Sequence, residues 1–330
     1  MKVVITGGTG FLGRQIAKAI LAQNGLKDET GHISPLTSLC LFDMALPDAP
    51  LDGLNDDRVS YVAGDISDPA QVRALVDRDD IVIFHLASIV SAGGEADFDL
   101  AMRVNLGGMQ NILEAARSRK AAPKVIFASS LAVFGGANMP KTVSDQTKQT
   151  SEITYGITKS IGELLINDYT RKGFIDGRTA RLANIIIRPG RPNAAASAFC
   201  SGVFREPLNG ELVAVPVPED TPLPVQGYRN CIDGFMTLAQ MDGNLLGDDR
   251  AVFLPNRSYK VVDMIAALRR VADRNNIQLG DISFAEDPHI SGIITAWPQA
   301  IDASRGLSLG LPDDAALDDI IQHYIDDFMS

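Results

Sequence analysis

Apolar residues in about the first 190 positions fall into short, near-continuous runs separated by longer amphipathic stretches. The runs at 3–6, 39–42, 59–62, 81–86, 125–128 and 181–187 are rich in Val, Ile, Leu and Phe. Such unbroken runs suit strands buried on both faces of a parallel sheet. Between them the apolar positions recur at helical spacing, over 13–24, 69–78, 98–120 and 151–172. Strand and helix in repeated alternation predict an α/β fold with a doubly wound parallel Rossmann sheet. Residues 24–38 show no clear period and read as an exposed insertion.

Past Arg188 the pattern changes. Residues 188–230 are rich in Pro and Gly and carry no long period. A helical pattern follows at 230–241, a strand-like run at 251–254, and helical patterns at 261–275 and 313–328. Two domains are expected: one over 1–188 that holds the doubly wound sheet, and a smaller α+β C-terminal domain over 189–330. The smaller one should lie over the carboxyl edge of the sheet, where open α/β folds bind ligands, and the chain is free to cross between the two.

Composition narrows the function. Hydrophobic residues at 45% and charged residues at 22% belong to an ordinary globular protein. A net charge of −11 disfavours nucleic acid or an anionic membrane as partner, yet leaves a small anionic substrate open. Cys40, Cys200 and Cys231 are far apart, and with four scattered histidines they offer no metal-ligand spacing. Reduced thiols are expected, hence a cytoplasmic protein. The opening Val3-Val4-Ile5 is too short for a signal peptide, and no apolar run approaches the roughly 20 residues of a membrane span.

The chemistry starts at Thr6-Gly7-Gly8-Thr9-Gly10-Phe11-Leu12-Gly13, between a predicted strand and a predicted helix. Gly7 permits the turn off the strand, Gly10 lets a pyrophosphate approach the backbone, and Gly13 lets the helix pack closely. The free N–H groups at the helix start then face the phosphates. Asp43 ends the second strand of the Rossmann pattern, where a carboxylate accepts ribose hydroxyls and repels a 2′-phosphate. No Arg or Lys follows closely, so the expected cofactor is NAD.

Tyr155 and Lys159 stand one helical turn apart on one face. A phenol is a poor base at neutral pH, and an ammonium one turn away favours its phenolate. Lys159 can also hold the nicotinamide ribose. Ser130 follows the predicted strand 125–128 and puts a hydroxyl over the nicotinamide position, while capping of the following turn suits Ser129 better.

In combination these motifs, with Gly64-Asp65-Ile66, His85-Leu86-Ala87 and Asn105 in an Asn-Leu-Gly-Gly stretch, resemble the extended short-chain dehydrogenase/reductase family of nucleotide-sugar epimerases and dehydratases. The resemblance covers nearly the whole chain. It implies that Asp65 and Ile66 hold the adenine, that Leu86 and Ala87 line the cofactor, and that Asn105 supports the site from a helix. It gives Tyr155 the general acid/base role, Lys159 the ribose and pKa role, and Ser130 the substrate-oxygen role.

The segment from Arg188-Pro189-Gly190-Arg191 to Glu211 is similar to a subgroup of D-erythronate dehydrogenases, as are Ala296-Trp297-Pro298 and 307–311. That implies NAD-dependent oxidation of a four-carbon sugar acid, D-erythronate, at C2. The alternatives are a UDP-sugar 4-epimerase that retains NAD, and a catalytically silent NAD(H) sensor, which would have no need of an activated phenol. A substrate carboxylate would want a bidentate Arg, with Arg191 as the candidate. Ser88, Ser91 and Asn184 are candidates for hydroxyl contacts. The helices over 98–120 and 151–172 are apolar on more than one face, through Met102, Leu106, Met109, Leu164, Leu165 and Tyr169. In the family the equivalent helices pair across a two-fold axis, which implies a homodimer.

Overall fold

The computed structural model describes residues 1–28, 30–190 and 197–329. Seven strands form one sheet, in the spatial order Ala251–Phe253, Asp176–Leu182, Lys124–Ser130, Ile81–His85, Lys2–Thr6, Ser38–Asp43 and Val59–Ala63. Every pairing in it is parallel. Lys2–Thr6 and Ile81–His85 are buried at every position, as their unbroken apolar runs require. Between these two strands the order of the sheet reverses, and such a switch point opens a ligand crevice outside the strands' carboxyl ends. Helices cover both faces. Ile16, Ile20, Leu41, Phe84 and Phe235 fill one side, and Phe42, Ile83, Ile112, Phe127 and Ile166 the other.

A second, three-stranded sheet joins Asn184–Ile186, Pro222–Gly227 and Arg257–Lys260. With the helices Ala198–Leu208, Val261–Arg274 and Leu317–Phe328 it encloses a separate core around Phe204, Met264, Leu268 and Ile321. The chain crosses between the two bodies: helix Tyr228–Gln240 packs Cys231, Phe235 and Leu238 under the large sheet, and Ala251–Phe253 becomes its edge strand. No helix of the described residues is long and apolar enough to cross a membrane.

Three local readings of the sequence need correction. The apolar run 181–187 is not one strand: its start completes Asp176–Leu182 in the large sheet, and Asn184–Ile186 founds the second. The first half of that strand was obscured by Arg178, which is 2% exposed yet satisfied by Asp176 at 2.6 Å and the Met241 carbonyl at 2.8 Å. Residues 24–38 hold an antiparallel hairpin, Gly25–Lys27 with Ile33–Pro35, too short to show alternation. The 98–120 helix is broken into Phe98–Ala101, a π-helical Met102–Gly107 and Gly108–Arg117. Such π segments gather at functional sites, and this one carries Asn105.

Candidate active site

The glycine loop is shaped by contacts that leave no room for side chains. Gly7 has φ +69°, and a Cβ there would meet the Ala87 backbone N at 3.0 Å. A Cβ on Gly13 would lie 2.5 Å from the Gly7 carbonyl oxygen, so the helix can start only this close to the loop with glycine at that position. Gly10 is the N-cap of helix Phe11–Gln23, and no side chain caps the helix start. The loop therefore offers uncapped backbone N–H groups beneath an open approach, which fits a dinucleotide pyrophosphate. Leu12 lines the cleft. The Phe11 ring turns away and packs on Tyr228 at 5.5 Å and Phe328 at 6.2 Å between centroids.

Asp43 is tied to this loop. Its Oδ2 accepts from the Thr9 amide at 3.1 Å and the Thr9 hydroxyl at 2.7 Å, and its Oδ1 accepts from the Met44 amide at 2.8 Å. Thr9 thus anchors this carboxylate to the loop, and Oδ1 keeps the freer acceptor positions. Gly64 donates to the Asp43 carbonyl at 2.9 Å and brings the next turn alongside. There the Asp65 carboxylate accepts from the Ser67 amide and hydroxyl, at 2.8 and 2.7 Å. The Ile66 side chain is buried in the core under Gly108. Leu86 and Ala87 are held against the loop by the Thr6 carbonyl at 3.1 Å and the Thr6 hydroxyl at 3.2 Å.

Beyond the loop a cleft of about 240 Å³ opens over the carboxyl ends of the central strands. Ser88, Ser91, Ser130, Tyr155, Lys159, Asn184 and Arg188 give it polar groups, and Val90, Leu131, Ile153 and Trp297 give it apolar walls. Ser130 ends its strand and its Oγ accepts from the Ala132 amide at 3.1 Å, so it is Ser130 that caps the turn Leu131–Val133. Its neighbour Ser129 is buried and donates to Glu163 at 2.5 Å. The expectation that Ser129 would be the cap is reversed, because the strand's alternation sends Ser129 into the protein and Ser130 to the cleft. One Ser130 lone pair is spent on the cap, and its O–H remains to donate.

Tyr155 and Lys159 stand near the start of helix Thr154–Arg171. The Lys159 ammonium donates to the Ala128 carbonyl at 2.7 Å and lies 5.5 Å from the Tyr155 ring centroid. Burial pushes its pKa down to about 7, against the pull of the Glu163 carboxylate. Burial also raises the Tyr155 phenol above its ordinary value of 10.0, while hydrogen bonding with Ser130 and the charge of Arg188 lower it. Arg188 thus joins Lys159, the cation expected from the sequence, as a second positive group beside the phenol. Burial lowers the Arg188 pKa in turn, with the nearby Cys200 and Tyr155 opposing and Arg205 adding. Among the described residues no carboxylate forms a salt bridge with Arg188.

Asn105 is buried and does not line the cleft. Its side chain accepts from the Ile89 amide at 2.7 Å and donates to the Ile89 carbonyl at 3.0 Å and to Thr158 at 3.2 Å, so it pins the 88–89 turn to the Tyr155 helix. Asn184 donates to the Pro224 carbonyl at 2.9 Å while lining the cleft. Arg191 lies outside the described residues. Sequence reasoning passed over Arg188 and Trp297 as site residues. Arg188 stood directly after the apolar run 181–187, and a cation at the end of a strand that reaches the crevice was the available signal.

A model of the NAD dependent epimerase/dehydratase family matches residues 3–221. A protein of Cupriavidus necator named D-erythronate dehydrogenase is 43% identical over 327 residues, covering 99% of this chain and 98% of its own. One of the same name from Haemophilus influenzae is 40% identical over 326 residues, covering 99% of each. Among solved structures, a nucleoside-diphosphate-sugar epimerase from Agrobacterium tumefaciens superposes with a TM-score of 0.89 at 35% identity, over 100% of this chain and 94% of that one.

Proposed function

The chain belongs to the NAD-dependent epimerase/dehydratase family, and from that premise we propose that it oxidises a four-carbon sugar acid, D-erythronate, to the 2-oxo acid. The observation that carries the reading is Arg188: a half-buried guanidinium without a carboxylate partner among the described residues, in one small cleft with Ser130 and Tyr155. A desolvated cation so placed favours an anionic substrate. The substrate carboxylate pairs with Arg188, and the C2 oxygen receives the Ser130 hydroxyl. The Tyr155 phenolate takes the C2 hydroxyl proton, and Lys159 steadies the ribose side of the cofactor. NAD, when bound, supplies the hydride acceptor. The groups that would hold it are the loop from Gly7 through Gly10 to Gly13 with Leu12, Asp43 at the adenosine ribose, Asp65 and the Ile66 backbone at the adenine, and Leu86 and Ala87 along the cleft.

A UDP-sugar 4-epimerase with retained NAD is the second reading, favoured by the family model and by the name of the Agrobacterium structure. The cleft of about 240 Å³ weighs against it, since pockets for drug-sized ligands run to about 300–1,000 Å³. Mixing the enzyme with excess NAD and D-erythronate, and following NADH absorbance, decides between them. Stoichiometric NADH formation is expected; cofactor that stays bound through UDP-hexose interconversion would reverse the choice.

The protein is further proposed to work as a cytoplasmic homodimer. Its three thiols are free and buried, as suits a reducing compartment. Phe98, Ile157 and Leu164 are 60%, 44% and 66% exposed on the helices Phe98–Ala101 and Thr154–Arg171, an apolar face open to a second copy. Met109 by contrast belongs to the core. Leu164→Glu is expected to convert a dimer into a monomer by size-exclusion chromatography with light scattering. A wild-type protein that elutes as a monomer would end this part of the reading.

A further inference from the structure

We propose that the Trp297 indole is a fixed wall that sets the length of sugar acid the cleft accepts. The proposal rests on the sugar-acid reading above. The chain has a single tryptophan, and it lines the cleft with Leu131, Ile153, Tyr155 and Arg188. Its ring packs against two separate apolar clusters, one formed by Leu131, Val133 and Phe253, the other the core of the smaller body. The backbone on either side is held as well. The Trp297 amide donates to the Ile294 carbonyl at 3.1 Å, and the amides of Gln299 and Ala300 both donate to the Lys141 carbonyl, at 2.8 and 3.0 Å. Directly afterwards Ala300–Asp302 pairs in parallel with Thr142–Ser144. A swing of the indole would strip contacts from both clusters at once, so it acts as a wall and not as a lid.

Length selection follows from the other fixed points. Arg188 holds C1 and the Ser130–Tyr155 pair holds the C2 oxygen, so chain beyond C2 must share the cleft of about 240 Å³ with the cofactor end that Leu12, Leu86 and Lys159 line. Tryptophan closes such a space with a large rigid surface at low entropic cost. Among the described residues the indole N–H makes no hydrogen bond, which leaves it free to meet a terminal hydroxyl.

The test is kcat/KM over aldonic acids of three to six carbons, for the wild type, Trp297→Ala and Trp297→Phe, with folding checked by circular dichroism. The wild type should prefer four carbons and fall at least tenfold for six. Trp297→Ala should raise the ratio of six- to four-carbon kcat/KM by about tenfold or more, the size expected when a pocket wall is relieved. Trp297→Phe, which keeps an aromatic wall, should lie between. An unchanged ratio in Trp297→Ala, or a wild type that accepts six carbons as well as four, overturns the proposal. Should the wild type oxidise none of the series, the sugar-acid reading falls by itself, and calorimetric binding of the same acids with NAD present reads the wall. Equal affinity at every length, or no binding of any acid, then overturns the wall too.

Discussion

Tyr155→Phe is expected to lower kcat for the sugar acid by about 10²- to 10⁴-fold, the usual worth of a positioned general base, with a far smaller change in KM. Removing one oxygen leaves the ring's packing in place, so NAD binding and thermal stability should hold. The pH dependence makes the assignment sharper. Burial raises the phenol above 10.0, and only the phenolate can take the C2 hydroxyl proton. Below the phenol pKa the phenolate fraction grows tenfold per pH unit, so wild-type oxidation should climb as pH rises from 7 towards 10. The reverse reduction needs the protonated phenol and should not climb. In Tyr155→Phe the residual oxidation should lose this limb. Steady-state rates from pH 7 to 10 in both directions check the claim. A variant within about threefold of wild type, or one that keeps the climbing limb, removes Tyr155 from the chemistry.

The large sheet was legible because strands covered on both faces leave no polar alternation to confuse with a helix. Val3–Ile5 and Ile81–Phe84 are buried without exception, and their order along the chain places the crevice. The loop, Ser130, Tyr155 and Lys159 were legible for a related reason: they adjoin such strands, and their spacing is local. What escaped depends on long-range partners. Arg178 interrupts the apolar pattern of its strand, yet Asp176 and backbone carbonyls satisfy it in the interior. The helix Ala198–Leu208 was hidden by a buried Arg205 and an internal Pro207, since a helix covered on several sides has no polar stripe. Trp297 arrives at the cleft from about 140 residues beyond Tyr155 through contacts with two cores, which no local pattern encodes. Asn105, expected to support the site from a helix, stands on the π-helical stretch one layer behind the cleft, and its hold on the Ile89 backbone is a long-range contact that the sequence does not spell out.

Arg188→Ala is the change that separates recognition of the acid from the chemistry performed on it. A bidentate guanidinium–carboxylate pair makes two charge-assisted hydrogen bonds, each worth about 1.5–3 kcal/mol in a partly buried site. At about 1.4 kcal/mol per tenfold, their loss should lower kcat/KM for D-erythronate by about 10²- to 10⁴-fold, carried mainly by KM. Erythritol, which keeps the hydroxyls but lacks the carboxylate, should be turned over equally poorly by wild type and variant. Arg188→Lys should recover only part of the loss, because an ammonium keeps the charge and cannot form the fork. A second signature is independent of affinity. The Arg188 charge lowers the Tyr155 pKa, so removing it should move the climbing limb of oxidation to higher pH, and Arg188→Lys should restore the limb better than it restores KM. If Arg188→Ala weakened NAD binding and left KM for the acid unchanged, the guanidinium would belong to the cofactor. The carboxylate would then have to be met from the segment that contains Arg191, and the substrate class would rest on the relatives' names alone.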